Sequence, residues 1–134
     1  MLKIINMEYA MKQFIQVATV AACVVLSGNV LAHGAKAKHG GVMQSAGDLS
    51  FELVAKDGKT VIYVDDHGKE MATRGASGTL TVLKGAQKIR LPLEAGAGNM
   101  LVVKGDAQLA PGSKAVAAVT FANKKAVSVR FAIK

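Results

Sequence analysis

The sequence predicts an all-β domain preceded by a helical signal peptide, and three observations support this. From residue 48 onward, apolar side chains alternate with polar ones at the period of a β-strand. Glycine-containing turn signals separate these segments roughly every ten residues. No helical repeat of apolar residues occurs after residue 32. Seven short antiparallel strands at this spacing indicate an Ig-like sandwich or a small barrel.

Residues 1–32 have the three parts of a signal peptide. Lys12 gives the N-terminal region its positive charge, and an apolar run covers Phe14–Leu26. Val30-Leu31-Ala32 then offers small or apolar residues before a cleavage point. Cleavage after Ala32 would export the mature chain, without a membrane span, to the periplasm. A competing lipoprotein box ends at Cys23, where cleavage would leave a lipid anchor. We favour cleavage after Ala32, because the Cys23 alternative leaves a very short apolar run.

The mature chain would span residues 33–134 and contain no cysteine, since Cys23 is the only one. This excludes disulfides and thiolate metal ligands. About 100 residues are enough to bury a single core. We expect a flexible arm at residues 33–47, because this stretch is rich in glycine, alanine and lysine and has no periodicity. The β-domain follows at residues 48–134.

Seven strands are predicted in the β-domain. The segment at 60–64 is apolar on both faces, as a central strand would be. Pro92, in the segment at 88–93, suggests an edge strand, because proline cannot donate a ladder hydrogen bond. The predicted segments are 48–54, 60–64, 79–83, 88–93, 100–103, 115–121 and 126–133.

The formal charge of +8 raises the question of an anionic partner. The lysines and arginines of the mature part are scattered singly, except for the pair Lys124–Lys125 in a predicted turn. No aromatic residue is interleaved with them to stack on bases. We therefore expect a solvated basic surface and no nucleic-acid partner.

The three histidines are the principal candidates for function. Imidazole is the commonest protein ligand for zinc and copper. Cleavage after Ala32 would give His33 a free α-amine beside its ring, a combination that chelates Cu(II). His39 or His67 could complete the site, with the arm folding back onto the domain. The competing interpretation is a polar arm whose histidines bind nothing.

His67 lies in a predicted turn after two aspartates, so Asp66 and His67 together could hold Zn(II) or Cu(II). An ordinary hydrophilic turn is the alternative. Met71 follows four residues later, and its thioether suits Cu(I) or Ag(I). Its alternative role, like that of Met43, is a half-exposed apolar contact, and Met100 is expected in the core.

An enzyme is not expected. None of the serines has a nucleophile elbow or a neighbouring base. The glycine-rich segment Gly75-Ala76-Ser77-Gly78 lacks the lysine and the helix start of a phosphate-binding loop.

Several short motifs carry a resemblance to a known family. They are His39-Gly40-Gly41, Gly47-Asp48, Phe51-Glu52-Leu53-Val54, Tyr63-Val64, Asp66-His67-Gly68, Gly75-Ala76-Ser77-Gly78 and Thr81-Val82-Leu83. Over about residues 39–134, the chain resembles a small periplasmic domain that occurs alone or near the N-terminus of the adaptor subunits of heavy-metal resistance-nodulation-division efflux systems.

This resemblance implies an all-β periplasmic domain linked to the handling of copper, silver, zinc, cobalt or cadmium. It transfers ligand roles to His39 and His67 only. The chain lacks the helical hairpin and lipoyl-like parts of an adaptor, so we expect a stand-alone accessory protein to metal efflux or resistance. The ion would be copper or zinc, with silver as a further candidate. The alternative function is a non-catalytic envelope module that binds another protein without metal.

Overall fold

The computed structural model describes residues 36–134, so the predicted signal peptide and His33 lie outside the described residues. All nine strands of this part belong to one antiparallel sheet, and it contains no helix. The strands are β1 (Val42–Ala46), β2 (Leu49–Lys56), β3 (Lys59–Asp66), β4 (Lys69–Glu70), β5 (Ser77–Lys84), β6 (Gln87–Ala95), β7 (Met100–Val103), β8 (Lys114–Thr120) and β9 (Ala126–Ala132).

The strand order is β1-β2-β3-β7-β6-β5-β8-β9, with β4 paired to the end of β3. The sheet curls until its two edge strands, β1 and β9, lie close together without forming a ladder. It is therefore a nearly closed, barrel-like sheet. This confirms the all-β prediction and favours its barrel alternative over a two-sheet sandwich.

Two-residue turns set the register of the first three strands. At Asp57-Gly58 both φ angles are positive, 54° and 76°, as in a type I′ hairpin turn. This turn joins β2 to β3 and pairs Glu52 with Tyr63. The Gly47-Asp48 turn joins β1 to β2 and pairs Met43 with Glu52. Local turn chemistry thus determines which side chains are neighbours on this half of the sheet.

The core fills the concave inner face of the sheet. Because side chains alternate between faces, every second residue of most strands points inward. Phe51 and Phe131 are the largest of the fully buried side chains, and aliphatic residues provide most of the rest. The large apolar side chains that are fully buried are Phe51, Ile62, Val64, Leu80, Val82, Leu93, Leu101, Val119 and Phe131.

Two strands were missed by the sequence analysis, which predicted seven. The first, β1, lies in the segment 33–47 that was expected to be flexible. Val42 and Ala46 of β1 pack against the core, and the strand pairs along its full length with β2. The glycines and lysines that surround this segment hid its short alternating pattern. The second, β4, has only two residues and completes the hairpin with β3.

The edge-strand prediction for β6 is wrong, because β6 lies between β7 and β5. The backbone oxygen of Pro92 accepts a hydrogen bond from the Lys104 amide, 2.9 Å away, just beyond the last residue of β7. Pro92 cannot donate a hydrogen bond toward β7, but the β6–β7 ladder covers only Leu93–Ala95, so Pro92 lies beyond it. This position tolerates proline inside the sheet.

Across residues 36–134, no helix has the length and hydropathy needed to cross a bilayer.

Candidate functional site

A row of four directly paired residues crosses the outer face of the sheet. Met43, Glu52, Tyr63 and Met100 lie on β1, β2, β3 and β7 respectively. Directly opposed residues in an antiparallel pair share a face, with Cβ atoms about 5 Å apart. Phe51 and Leu53, the neighbours of Glu52 in sequence, point the other way into the core. The row thus places one carboxylate and one phenol between two thioethers.

Glu52 is buried although it lies on the outer face, with only 3% of its surface exposed. The segment at 38–41, which precedes β1, covers it. The Glu52 carboxylate accepts hydrogen bonds from the backbone amides of Lys38 (3.0 Å), His39 (2.8 Å) and Gly41 (2.9 Å). A fourth hydrogen bond comes from the ring nitrogen Nδ1 of His39 at 3.0 Å. The carboxylate therefore anchors the segment to the sheet.

Two glycines permit this close approach. Gly40 has a φ of +73°, which turns the chain so that amides on both sides face one carboxylate. A Cβ on Gly41 would lie 2.3 Å from the backbone oxygen of Leu53 and 2.8 Å from a methyl carbon of Val54. Only glycine allows the chain to lie this close to β2.

The charge of Glu52 is stabilised in the fold. Burial alone would raise the pKa of Glu52. The hydrogen bonds from the His39 ring and from the amides of Gly41, His39 and Lys38 outweigh this effect and hold the pKa below its usual value. Glu52 is therefore ionised at neutral pH and can only accept hydrogen bonds, so the proton of its bond to His39 is on Nδ1.

The His39 ring lies flat on Tyr63. The two ring centroids are 3.7 Å apart and the planes differ by 6°. The side chain is 39% exposed, so the ring is fixed at the surface and is not enclosed. In the neutral ring with its proton on Nδ1, the Nε2 atom carries the lone pair, and Nε2 has no hydrogen-bond partner within residues 36–134. The ring thus offers an oriented, unused donor atom to a ligand.

A second contact secures the same segment. The Lys38 ammonium lies 2.8 Å from a carboxylate oxygen of Asp65 and also donates to the backbone oxygen of Gly68 at 3.4 Å. The hydrogen bond to Asp65 raises the pKa of Lys38. Asp65 also accepts a hydrogen bond from Asn99, so it is held from two sides.

The structure places His67 in the β3–β4 turn and Asp66 at the end of β3, as the sequence predicted. His67 Nδ1 is 2.6 Å from Asp66 and its Nε2 is 3.4 Å from Asp48, but the His67 side chain is 70% exposed. The φ angles of His67 and Gly68 are +51° and +81°, again those of a type I′ turn. His67 therefore has a conformational role in this hairpin.

His39 and His67 have different partners. His39 stacks on Tyr63 and bonds to Glu52, whereas His67 lies in the turn after β3, four residues beyond Tyr63. At the rise of a strand, these four residues span about 13 Å. Each ring has its own carboxylate partners. Among residues 36–134, no cluster of three or more histidine, cysteine, aspartate or glutamate side chains has the arrangement of a metal site.

The methionines also differ in role. Met71 is partly buried and packs against the core, so its thioether is an apolar contact here. Met100, which was expected in the core, lies on the outer face beside Tyr63 and is only partly buried. Met43 occupies the corresponding position on the other side of Glu52.

The sequence analysis gave Glu52 and Tyr63 no role in the site. A signal for both was present, because the Asp57-Gly58 turn fixes a register in which these residues are opposite each other. A glutamate between Phe51 and Leu53 also falls on the outer face of its strand. The strand pattern does not indicate that the segment at 38–41 covers that face.

Compared with models of protein families, with curated proteins and with solved structures, the chain has no match, so the interpretation of this site rests on its geometry.

Proposed function

We propose that this protein binds a transition-metal ion through Nε2 of His39, with Glu52 as the residue that positions the ring. The observation that carries the proposal is the hydrogen bond from His39 Nδ1 to the buried Glu52 carboxylate. Histidines that bind metals commonly donate their other ring N–H to a carboxylate, which fixes the tautomer and makes the free nitrogen more basic. The Tyr63 ring beneath holds the same orientation.

The surroundings of His39 favour a soft ion. The two nitrogens of an imidazole point in divergent directions, so Nε2 points away from Glu52. Glu52 and Met100 flank Tyr63 on opposite sides, so Met100 lies on the side of Tyr63 away from Glu52, and we take its thioether as the candidate soft donor on the Nε2 side. Thioether and imidazole together suit Cu(I) and, by the same softness, Ag(I) better than hard ions. Met43, on the far side of Glu52, is a more distant candidate.

This proposal narrows the set of candidate metal ligands to His39 and Met100. Asp66 and His67 are assigned to the β3–β4 hairpin, and Met71 is assigned to the core. His33 lies outside the described residues, and it stays a candidate for a further ligand. The family resemblance adds the proposal that the protein works in the periplasm as an accessory to heavy-metal efflux or resistance.

The test is a titration of the full chain with Ag(I), with Cu(I) under reducing conditions, and with Zn(II). All proteins carry Cys23→Ser, because a free thiolate would bind the same soft ions. We expect one ion per chain and a shift of the His39 ring resonances in NMR spectra. His39→Ala should weaken Ag(I) binding by at least about tenfold, the scale of losing one ligand or its supporting residue.

Two further variants complete the design. Met100→Leu should weaken Ag(I) and Cu(I) binding but leave Zn(II) binding unchanged. His67→Ala is the matched control and should bind like the parent protein. Equal affinity of the His39→Ala variant and its parent would refute the proposal.

A further inference from the structure

The basic residues that are scattered in the sequence come together on one face of the fold. Lys88 on β6, Leu83 on β5 and Lys114 on β8 are directly paired in one row across the sheet. In the next row on the same face, Arg90 on β6 and Arg130 on β9 lie at the two ends. We call these five residues the basic face. At a strand spacing of about 4.8 Å, Lys88 and Lys114 are roughly 10 Å apart in the first row, and Arg90 and Arg130 are roughly 14 Å apart in the second.

The basic face is poor in acidic side chains. The three strands β5, β8 and β9 contain no aspartate or glutamate, and β6 contains one, Glu94, which pairs with Lys104. Lys88, Arg90, Lys114 and Arg130 are all exposed, and within residues 36–134 none of them forms an ion pair. Six of the eight acidic residues within 36–134 lie instead on β2, β3 and β4 or in the turns that adjoin β2. The cations are therefore available to an external anion.

Apolar side chains lie between the cations. Within residues 36–134, Leu83 is the one large apolar residue that is substantially exposed, at 38%. A groove of about 330 Å³ passes beside it. Its lining includes the apolar residues Leu83, Val116 and Ala132 and the cations Lys114 and Arg130. Cations beside apolar side chains match an amphipathic anion, in which a negative headgroup adjoins hydrocarbon.

We propose that the basic face docks the domain onto a bilayer that contains anionic phospholipid. Each basic residue close to such a surface raises binding about fivefold, and Leu83 would enter the apolar boundary beneath the headgroups. Nucleic acid fits less well, because the face has no aromatic side chain for stacking. Of the aromatic residues within 36–134, the three phenylalanines are buried and Tyr63 lies under His39.

The test is co-sedimentation of the full chain with vesicles made of equal parts phosphatidylglycerol and phosphatidylcholine, compared with phosphatidylcholine alone. Lys114→Glu combined with Arg130→Glu should lower the partition by at least about tenfold, given fivefold or more per residue. The control, Lys56→Glu combined with Lys125→Glu, has the same net charge but alters exposed turn positions away from the face. Its partition should fall by less than about threefold, because distant charges are screened by salt.

A third variant, Leu83→Ser, leaves the charge unchanged and should weaken binding at high salt, where the electrostatic part is screened. Residues 1–32 are common to all variants, so any contribution that they make cancels in the comparison. Equal losses for the two charge-reversed pairs would overturn the proposal, since net charge alone would then explain the binding. Failure to prefer phosphatidylglycerol, or tighter binding to double-stranded DNA or polyglutamate than to these vesicles, would overturn it as well.

Discussion

The imidazole of His39 lies parallel to the phenol ring of Tyr63, with 3.7 Å between the ring centroids. His39 precedes β1 and Tyr63 lies in β3, so the stack joins the segment at 38–41 to the middle of the sheet. Stacking of this kind contributes about 0.5–1.5 kcal/mol beyond the burial of area. It complements the hydrogen bonds to Glu52 and fixes the ring in two directions.

Replacing Tyr63 should therefore loosen the segment without unfolding the domain. We expect Tyr63→Leu to lower the free energy of unfolding by about 1 kcal/mol, through loss of the stack. The amide protons of Lys38, His39 and Gly41 should then exchange with solvent about fivefold faster, because this segment opens locally. Tyr63→Phe retains a ring and is the control. Native-state hydrogen exchange measures the opening of this segment in both variants. Equal exchange rates in Tyr63→Leu and Tyr63→Phe would argue against the stack.

Glu52 should make the stability of the domain depend on pH. Its pKa is lowered in the folded state, so its stabilising contribution is complete above the unfolded-state pKa of about 4.3 and is lost as the pH falls through the lower, folded-state value. Glu52→Gln should cost about 1–3 kcal/mol at pH 7. The difference from the parent protein should shrink below about pH 4.

Urea unfolding across this pH range provides the measurement. Glu94→Gln is the matched control, because Glu94 is exposed and its ion pair with Lys104 should contribute less than about 1 kcal/mol. A constant Glu52→Gln penalty from pH 7 down to pH 3 would mean that ionisation of this carboxylate is unimportant.

The neighbouring glycines Gly40 and Gly41 should respond differently to alanine. Gly40→Ala meets no atom within 4 Å and only places a side chain at positive φ, which costs about 1–2 kcal/mol. Gly41→Ala brings a methyl group into the backbone of Leu53, and it should cost about 3 kcal/mol or more because that backbone belongs to β2. Thermal and urea unfolding of the two variants tests the order, and a smaller loss for Gly41→Ala would contradict the close approach.

The conformational role of His67 is testable by substitution. His67→Asn should maintain stability or raise it by about 0.5 kcal/mol, because asparagine followed by glycine is the preferred pair in type I′ turns. His67→Val should lower stability by about 1–2 kcal/mol, because a β-branched residue is strained at positive φ. Both variants should bind metal like the parent. If His67→Asn weakened Ag(I) binding as strongly as His39→Ala, His67 would have to be a ligand.

The parts of the fold that were predictable are those determined by local sequence. The seven predicted strands correspond to β2, β3 and β5–β9, because their alternation and turn residues are strong. Part of the site was also predictable from local sequence, because the turns at Asp57-Gly58 and Gly47-Asp48 fix the register that pairs Met43 with Glu52 and Glu52 with Tyr63. Local patterns do not determine which distant strands pair. The position of Met100 beside Tyr63 and the assembly of the basic face both depend on such pairings.

The place of β7 in the strand order also constrains how the chain folds. The second edge of β3 is completed by Met100–Val103, nearly forty residues downstream. A nascent chain that ends before residue 100 can form the meander of β1–β3 and the β5–β6 hairpin, but the edge of β3 that β7 will cover stays exposed, and such a species is prone to aggregate. Productive folding must therefore await most of the polypeptide, and a chaperone that shields the unfinished β3 edge would raise the yield more than one that acts on the finished domain.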